Sequence, residues 1–379
     1  MEHEPTLISL GNGRERTDTL RQGTLCFASR RGLAPATRLL VEALPEDAPK
    51  RALIGRDRST ALALAAHRLW PETEIVEHHH DAFVAGLARK NLENNHARIT
   101  SVLGASLPAG PFGFSAMPFE AGGDSLVARD MLEAAHDALE VGGVLLAGTD
   151  GKHTWLQEAV EHVFRNARAI MAPEGRGAVI RAERRSGSLR HKDRRHAITV
   201  VHRERSLAIL TCPGVFSYGR LDRGTKALLE VGPERSEGPL LDLGCGPGSL
   251  GIALAPAAGA GTVLVDSDAR AIACAQENLK VHGLHEACAL LRGDLEDLPT
   301  LDYRLAVANP PYYGDGRIAN SFAARAAGML HPDGRLLMVA RDERRHGEIL
   351  HAHFTEVEAQ KVGEYTVFTA RKARQQSSE

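Results

Sequence analysis

The chain has 379 residues, two to three times the length of a typical single domain of about 150, so the length predicts two domains. Hydrophobic residues make up 43% and charged residues 25%, which excludes a disordered chain or a fibre. The formal net charge is −2, so any contact with nucleic acid must come from a local basic patch. The five cysteines form no CxxC pair, which argues against a zinc ribbon, a redox motif or a disulfide framework.

The N-terminal segment lacks the basic start and apolar run of a signal peptide. The most apolar stretch, residues 250–265, is shorter than the roughly 20 residues that span a bilayer. We therefore expect a cytoplasmic protein without a membrane partner, in keeping with the unpaired cysteines.

The chain is internally repeated, because five segments of the first half recur in the same order in the second half. The matched pairs are 27–47 with 216–235, 51–66 with 239–255, 73–95 with 262–283, 112–124 with 304–316, and 136–148 with 327–339. The offset stays near 190 residues, since Glu77 matches Asp266 and Met117 matches Asn309. The sequence therefore predicts one domain that has been duplicated.

Strand and helix patterns alternate within each half. In the second half, short apolar runs predict strands at 262–265, 305–307 and 336–339, and helical spacing predicts helices at 269–282 and 318–330. This alternation predicts an open, mostly parallel α/β sheet covered on both faces, with its ligand at the carboxyl ends of the strands.

A basic segment, residues 176–205, lies between the halves and carries nine Arg and one Lys against three acidic residues. It is either a phosphate-contacting patch or a solvated hairpin of an Arg-rich chain. Under the first interpretation the candidate RNA-binding residues are Arg184, Arg185, Arg190, Lys192, Arg194 and Arg195.

A glycine-rich loop, LLDLGCGPGSLG, follows an apolar strand of the second half and begins a helix. Gly244, Gly246 and Gly248 permit a tight turn and a close approach to a ligand. Gly246, Gly248 and Gly251 also form a GxGxxG pattern, which allows a nicotinamide-dinucleotide fold. Asp242 argues against that fold, because its carboxylate would repel a pyrophosphate and would suit a ligand with ammonium and sulfonium groups.

Two further carboxylates follow the next predicted strands. Asp266 ends the strand VLVD, where a carboxylate can accept hydrogen bonds from both hydroxyls of a ribose. Asp294 falls where the third strand should end and can accept from an adenine amino group, although Glu296 and Asp297 lie close by.

The tetrapeptide Asn309-Pro310-Pro311-Tyr312 directly follows the strand LAVA. An amine attached to a planar ring is a poor nucleophile because its lone pair is delocalised. The Asn309 side-chain oxygen and the Pro310 carbonyl can accept its N–H bonds and hold it pyramidal, while proline stiffens the turn. Tyr312 supplies a flat face for stacking.

Together, DLGCGPG, VD, GD and NPPY resemble the motifs of class I S-adenosylmethionine-dependent methyltransferases of the NPPY branch, which methylate planar nitrogens. The duplication and the segment GVFSYGRLDRGTKALLE are similar to the bacterial ribosomal-RNA guanine-N2 methyltransferases. The resemblance is strong over residues 213–372 and reaches the first half mainly through the duplication.

The resemblance implies two tandem Rossmann-like methyltransferase domains: a degenerate one at 1–205 for RNA binding or support, and a catalytic one at 206–379. It implies S-adenosyl-L-methionine as cofactor, methyl transfer to N2 of a guanine in ribosomal RNA (16S rRNA favoured), and no metal. Asn309, Pro310, Pro311 and Tyr312 would hold the guanine. The implied cofactor contacts are Asp242, Gly244, Cys245, Gly246, Gly248, Asp266, Ser267, Asp294, Leu295 and Asn309.

One departure keeps alternatives open: those relatives more often have Phe where this chain has Tyr312. The alternative targets are adenine N6, a guanine of 23S rRNA and a protein glutamine; a non-catalytic RNA-binding assembly factor is a further alternative. The expected partner is ribosomal RNA or a ribosomal subunit. Two fused domains can replace a dimer, so we expect a monomer.

The first half has lost these motifs. Only Gly55 remains of the glycines, Arg56 and Arg58 enter the loop, and NPPY is replaced by residues 117–120, MPFE. We therefore expect a catalytically inactive copy.

Two other groups are not expected to do chemistry. The run His78-His79-His80 is interpreted as surface histidines, because successive strand residues point in different directions and cannot easily share one ion. Cys245 is interpreted as a small residue at a tight turn, because no base is paired with it.

Overall fold

The computed structural model describes residues 14–20, 23–29, 33–171, 177–311 and 316–373. The chain divides into two compact units, Met1–Asp193 and Arg194–Glu379. None of the helices in the described ranges is long and apolar enough to cross a membrane.

Strands and helices alternate in the first unit. Its described strands are β1 (Arg14–Leu20), β2 (Gly23–Ser29), β3 (Arg51–Gly55), β4 (Glu74–His79), β5 (Ile99–Leu103), β6 (Phe112–Pro118), β7 (Leu139–Thr149), β8 (Arg168–Met171) and β9 (Ala178–Glu183). Its described helices are α1 (Pro35–Glu42), α2 (Ala61–Leu69), α3 (Ala82–Asn94), α4 (Ser125–Ala138) and α5 (His153–Phe164).

The second unit repeats this succession. Its described strands are β10 (His196–His202), β11 (Arg205–Thr211), β12 (Leu240–Leu243), β13 (Thr262–Asp266), β14 (Cys288–Leu291), β15 (Tyr303–Ala308), β16 (Leu330–Ala340), β17 (Phe354–Val362) and β18 (Tyr365–Ala373). Its described α-helices are α6 (Arg223–Val231), α7 (Ser249–Leu254), α8 (Ala269–Val281), α9 (Arg317–Met329) and α10 (Glu343–His353).

The two units have the same sheet topology. One seven-stranded sheet has the order β5-β4-β3-β6-β7-β9-β8 and the other the order β14-β13-β12-β15-β16-β18-β17. The first five strands in each order pair in parallel, and the next two form an antiparallel hairpin at one edge. The predicted duplication and the two tandem Rossmann-like α/β domains are therefore confirmed. The strands and helices predicted in the second half are confirmed as β13, β15, β16, α8 and α9.

The core of the second unit lies on both faces of its sheet. On the central strand, Leu240 packs into one apolar cluster, and Leu241 and Leu243 pack into another. All three side chains are fully buried, as expected for a parallel sheet covered by helices on both faces.

The units divide at a different residue from the expected boundary at 205/206. β10 and β11 form an antiparallel hairpin that the expected boundary would cut. The Asn278 side chain on α8 accepts a hydrogen bond from the Leu210 N–H at 2.8 Å and donates one to the Leu210 carbonyl at 2.9 Å. The hairpin therefore belongs to the second unit, whereas the roles expected of the two domains stay predictions.

The turn after the central strand keeps its backbone conformation in both units. Gly244 and Gly248 have φ values of +73° and +86°, and Arg56 and Thr60 occupy the corresponding places with φ values of +63° and +62°. L-residues other than glycine pay a steric cost in this left-handed region. The first unit therefore retains the turn after losing the residues that suit it.

The left-handed backbone at residue 56 predicts that glycine stabilises the protein more than alanine at this position. We expect Arg56→Gly to be more stable than Arg56→Ala by about 1 kcal/mol, because the two differ only in the Cβ that the left-handed backbone disfavours. Urea denaturation of both variants measures the difference. An Ala variant that is the more stable of the two would contradict the assignment.

Candidate functional site

The ends of three adjacent strands bring the principal motifs of the second unit together. Leu243, the last residue of β12, pairs with Val265 of β13 on one side and with Ala308 of β15 on the other. The next residue on each strand, Gly244, Asp266 and Asn309, therefore lies at the same carboxyl edge, with neighbouring strands about 5 Å apart. This is the edge at which open α/β sheets bind ligands.

The glycine-rich loop is held by its own backbone. Gly244, Gly246 and Gly248 all have positive φ values, of +73°, +55° and +86°. The N–H groups of Gly244 and Cys245 both donate to the Val265 carbonyl, at 2.8 and 2.9 Å. The glycines are therefore required by the turn itself.

Asp266 connects this loop to the next helix. One carboxylate oxygen, Oδ2, accepts from the Gly246 N–H at 2.8 Å, and the other, Oδ1, accepts from the Asp268 N–H at 2.9 Å. Both Asp266 and the following Ser267 are half-buried. A partly exposed carboxylate fixed beside the loop can accept hydrogen bonds from a sugar's hydroxyl groups.

Asp242 lies beneath the loop. Its side chain is 1% exposed, and its Oδ2 accepts from the Gly251 N–H of α7 at 2.8 Å. Burial raises the pKa of this carboxyl to about 7, the bond from Gly251 opposes the rise, and the charge of Asp266 adds to it. Asp242 therefore supports the loop directly and can act on a ligand through its charge.

The remaining residues predicted around the cofactor differ in exposure. Asp294 lies three residues beyond β14, is exposed, and accepts from the Glu296 N–H at 3.2 Å. Leu295 is half-buried and packs against the core. Cys245 is buried, and burial raises the pKa of its thiol, which suits a structural role and not that of a nucleophile.

Asn309 directly follows the fourth strand of the parallel succession, as predicted. Its side-chain nitrogen Nδ2 donates to Asp222 Oδ2 at 2.8 Å and to Thr225 Oγ1 at 3.1 Å. Pro310 is buried, and Asn309 and Pro311 are half-buried. Tyr312 lies outside the described residues.

The residues that hold Asn309 were not predicted from the sequence. Asp222 and Thr225 stand at the start of α6, within the segment GVFSYGRLDRGTKALLE that carries the family resemblance. That resemblance was the available signal, but it assigned no role to either residue. Phe216, in the same segment, is 52% exposed, and its Cβ lies 3.8 Å from the position that a Cβ on Gly246 would occupy.

In the first unit, side chains fill the corresponding edge. Arg56 donates from Nε to the Pro118 carbonyl at 3.3 Å, and its guanidinium lies 5.2 Å from the centre of the Phe119 ring. Pro118 and Phe119 stand where the second unit has Pro310 and Pro311. Glu77, the counterpart of Asp266, is fully buried, and burial raises the pKa of its carboxyl.

The interpretation of His78, His79 and His80 as surface residues was wrong. His78 and His79 are 0% and 3% exposed, because β4 is an interior strand with both faces covered. His78 and His80 both contact the Gly104 carbonyl, whereas His79 Nε2 lies 3.2 Å from Glu77 Oε2. Among the described residues, no group of three or more His, Cys, Asp or Glu is arranged to hold a metal ion.

The basic segment, residues 176–205, contains both strands and the connection between the two units. Its described part contains β9 and β10, and residues 184–195 connect the two units. The Arg184 guanidinium is half-buried and donates to the Leu139 carbonyl, so this side chain supports the first unit. Arg185, Arg190, Lys192 and Arg195 are exposed, whereas Arg194 is half-buried.

Comparison with known proteins agrees with this geometry. Residues 206–369 match the family described as methyltransferase small domain. The chain is 31% identical over 181 residues to the ribosomal RNA small subunit methyltransferase C of Vibrio parahaemolyticus, which covers 46% of this chain and 52% of that protein. It is 35% identical over 155 residues to the protein of that name from Pseudomonas fluorescens, covering 40% and 46%. The chain thus matches about half the length of these relatives.

The similarity of fold extends over the whole chain. A T. thermophilus 16S rRNA N2 guanine methyltransferase, solved in complex with AdoMet and guanosine, aligns with 95% of this chain and 98% of its own, with a TM-score of 0.74 and 23% identity. Residues of the second unit thus carry the match to the family described as methyltransferase small domain. More particularly, about half of the chain is similar to proteins named ribosomal RNA small subunit methyltransferase C.

The pKa of Asp242 predicts a pH-dependent stability. A carboxyl whose pKa is raised from 3.8 to about 7 on folding stabilises the protein while protonated, and that contribution is lost as the pH rises through 7. Relative to Asp242→Asn, we expect the free energy of unfolding of the unmodified protein to fall by up to about 1.4 kcal/mol per pH unit between pH 4 and 7. Urea denaturation at several pH values measures this. A constant difference between the two proteins would show that the carboxyl titrates normally.

Proposed function

We propose that this chain transfers a methyl group from S-adenosyl-L-methionine to the exocyclic N2 of a guanine in ribosomal RNA, with the small-subunit RNA favoured. The observation that carries the proposal is the position of Asn309, which directly follows β15 beside the glycine-rich loop and whose amide nitrogen donates to Asp222 and Thr225. The names of the relatives support the same activity.

The described residues fit this cofactor. The half-buried Asp266 carboxylate, which accepts a hydrogen bond from the Gly246 N–H, can also accept hydrogen bonds from the hydroxyl groups of a ribose. Asp242 places a second carboxyl group beneath the loop. When bound, S-adenosyl-L-methionine supplies an electrophilic methyl group on a positively charged sulfur. Asp294 and Leu295 at the neighbouring strand end are proposed to contact its adenine.

The chain's own contribution to the reaction is orientation. The Asn309 Oδ1 and the Pro310 carbonyl are proposed to accept the N–H bonds of the guanine amine, which directs its lone pair at the methyl group. Tyr312 and Phe216 are proposed to stack against the base. The base must leave its stack to reach this edge, at a cost of a few kcal/mol that is smallest for an unpaired nucleotide.

The first unit and the basic segment are proposed to bind the RNA. Because Arg56 fills the edge where a cofactor would lie, this unit is proposed to be inactive in methyl transfer. Exposed Arg185, Arg190, Lys192 and Arg195, with Arg194, are proposed to contact phosphates. We also propose a monomer that acts in the cytoplasm, where ribosomal RNA is found.

The proposal is tested by incubating the protein with methyl-labelled S-adenosylmethionine and separate pools of small subunits, large subunits, transfer RNA and release factor. Digestion of the product identifies the modified group, and we expect N2-methylguanosine from the small subunit. If the label appears in N2-methylguanosine of the large subunit, in N6-methyladenosine or in methylglutamine, the proposed substrate is wrong while the proposed cofactor stands. Cofactor binding with no label in any pool would favour an RNA-binding assembly factor.

Asn309→Ala tests the amine-binding role. We expect kcat to fall about 100- to 1000-fold, because the variant loses an acceptor that holds the reacting nitrogen, while the Kd for the cofactor stays nearly unchanged. Asn320→Ala, the same change at an exposed position on α9, is the control and should keep full activity. Normal turnover by Asn309→Ala would refute the assignment of this motif.

The basic segment is tested by the salt dependence of RNA binding. In Arg185→Gln/Arg190→Gln we expect weaker RNA binding at unchanged kcat, and a plot of log Kd against log salt that is shallower by about 0.7–0.9 per lost phosphate contact. Arg304→Gln/Arg344→Gln removes the same charge from exposed positions of the second unit and serves as the control. Equal slopes of log Kd against log salt for the two double variants would show that the basic segment is a solvated connection that does not contact the RNA.

A further inference from the structure

The Asn309 side chain is held by two residues at the start of α6. Asp222 caps this helix by accepting from the Thr225 N–H at 3.0 Å, and the same oxygen, Oδ2, accepts from Asn309 Nδ2 at 2.8 Å. Thr225 Oγ1 lies 3.1 Å from the same nitrogen, and its residue is 5% exposed. Residues more than 80 positions apart in the chain therefore meet at this strand end.

These contacts determine which way the Asn309 amide faces. An ionised carboxylate can only accept hydrogen bonds, so the NH2 group must face Asp222, and the reverse orientation would place the amide oxygen against the carboxylate oxygen. The Thr225 hydroxyl can donate or accept, so it supports the orientation that Asp222 sets. The Asn309 Oδ1 is consequently directed away from Asp222 Oδ2 and is available as an acceptor. Asp222 and Thr225 are thus positioning residues for Asn309.

Asp222 has a second carboxylate oxygen with a different environment. Within the described parts of the chain, both hydrogen bonds to Asp222 use Oδ2, and none uses Oδ1. Asp222 is only half-buried, so water can solvate its second oxygen until a ligand binds. Because this oxygen belongs to the carboxylate that holds the Asn309 amide nitrogen, a second charged acceptor lies close to that amide.

We propose that Asp222 Oδ1 accepts the N1–H of the target guanine while Asn309 Oδ1 accepts from the neighbouring N2 amine, so that Asp222 selects guanine over adenine. This inference rests on the proposed function. Guanine presents two adjacent donors, N1–H and the N2 amine, whereas adenine presents an acceptor, N1, beside its amine. A carboxylate opposite N1 attracts the first base and repels the second, a choice that aromatic stacking alone cannot make.

The inference is tested by nucleoside binding to the full chain saturated with S-adenosylhomocysteine, measured by calorimetry. Guanosine is compared with 2-aminopurine riboside, which keeps the 2-amino group but has an acceptor at N1 and lacks O6. We expect the unmodified protein to bind guanosine at least about tenfold more tightly, the effect of one charge-assisted hydrogen bond. Equal binding of the two nucleosides, or no binding of guanosine at millimolar concentration, would overturn the inference.

Asp222→Asn separates this role from the positioning role. The Asn oxygen can replace Oδ2 in both existing bonds and still cap the helix, while the second oxygen becomes an NH2 donor. We expect the ratio of the two nucleoside affinities to shift at least about tenfold toward 2-aminopurine riboside, with affinity for S-adenosylhomocysteine unchanged. The loss of O6 is common to both proteins and cancels in this ratio. An unchanged ratio would overturn the inference.

Thr225 tests the positioning role separately. We expect Thr225→Val, which is nearly isosteric, to lower kcat about tenfold at unchanged KM and with the preference for guanosine intact, and Thr225→Ser to restore kcat. Equal kcat in the Val and Ser variants would remove Thr225 from the positioning role.

Methyl transfer by the unmodified protein is measured independently of nucleoside binding. Transfer to guanine without a nucleoside preference overturns only the inference about Asp222. Absence of transfer despite a preference that Asp222→Asn shifts overturns only the proposed function.

Discussion

The site depends on one constraint, the left-handed backbone of the turn between β12 and α7. Gly244, Gly246 and Gly248 each take a positive φ there, and this conformation brings the Gly246 N–H to the Asp266 carboxylate and the Gly251 N–H to Asp242. The loop is therefore fixed between two carboxyl groups from adjacent strands. Because β15 pairs with the same central strand, the position of Asn309 is set by the same frame.

The duplicated unit shows what happens when the residues change and the frame does not. Arg56 and Thr60 still adopt positive φ, so the sheet and its helices determine the turn more strongly than local preference does. The Arg56 side chain then occupies the edge by contacting Pro118 and Phe119, and Glu77 is buried beside His79. The fold has been retained while the open edge has been lost.

Much of this structure could be predicted from the sequence, and the failures have a common physical cause. The duplication, the strand ends at Asp266 and Asn309 and the α/β class follow from patterns that are local along the chain. The bonds from Asn309 to Asp222 and Thr225 join residues 87 and 84 positions apart, so no local pattern predicts them. The histidines of β4 were placed on the surface because the interior position of that strand comes from tertiary packing. The expected boundary at 205/206 differs from the division at 193/194 because the contacts between the β10–β11 hairpin and α8 are not visible in the sequence.

The buried carboxyl beneath the loop also has a thermodynamic consequence for any ligand held there. With a pKa of about 7, Asp242 is close to half-protonated at neutral pH, and the charge of Asp266 contributes to holding the proton. A cation bound against this loop lowers that pKa and displaces the proton, so protons and cationic ligands compete for the pocket. A neutral ligand of the same shape experiences no such competition. The protonation of Asp242 therefore depends on the charge of the bound ligand. Acidic conditions lower the affinity for a cationic ligand more than the affinity for an uncharged ligand of the same shape.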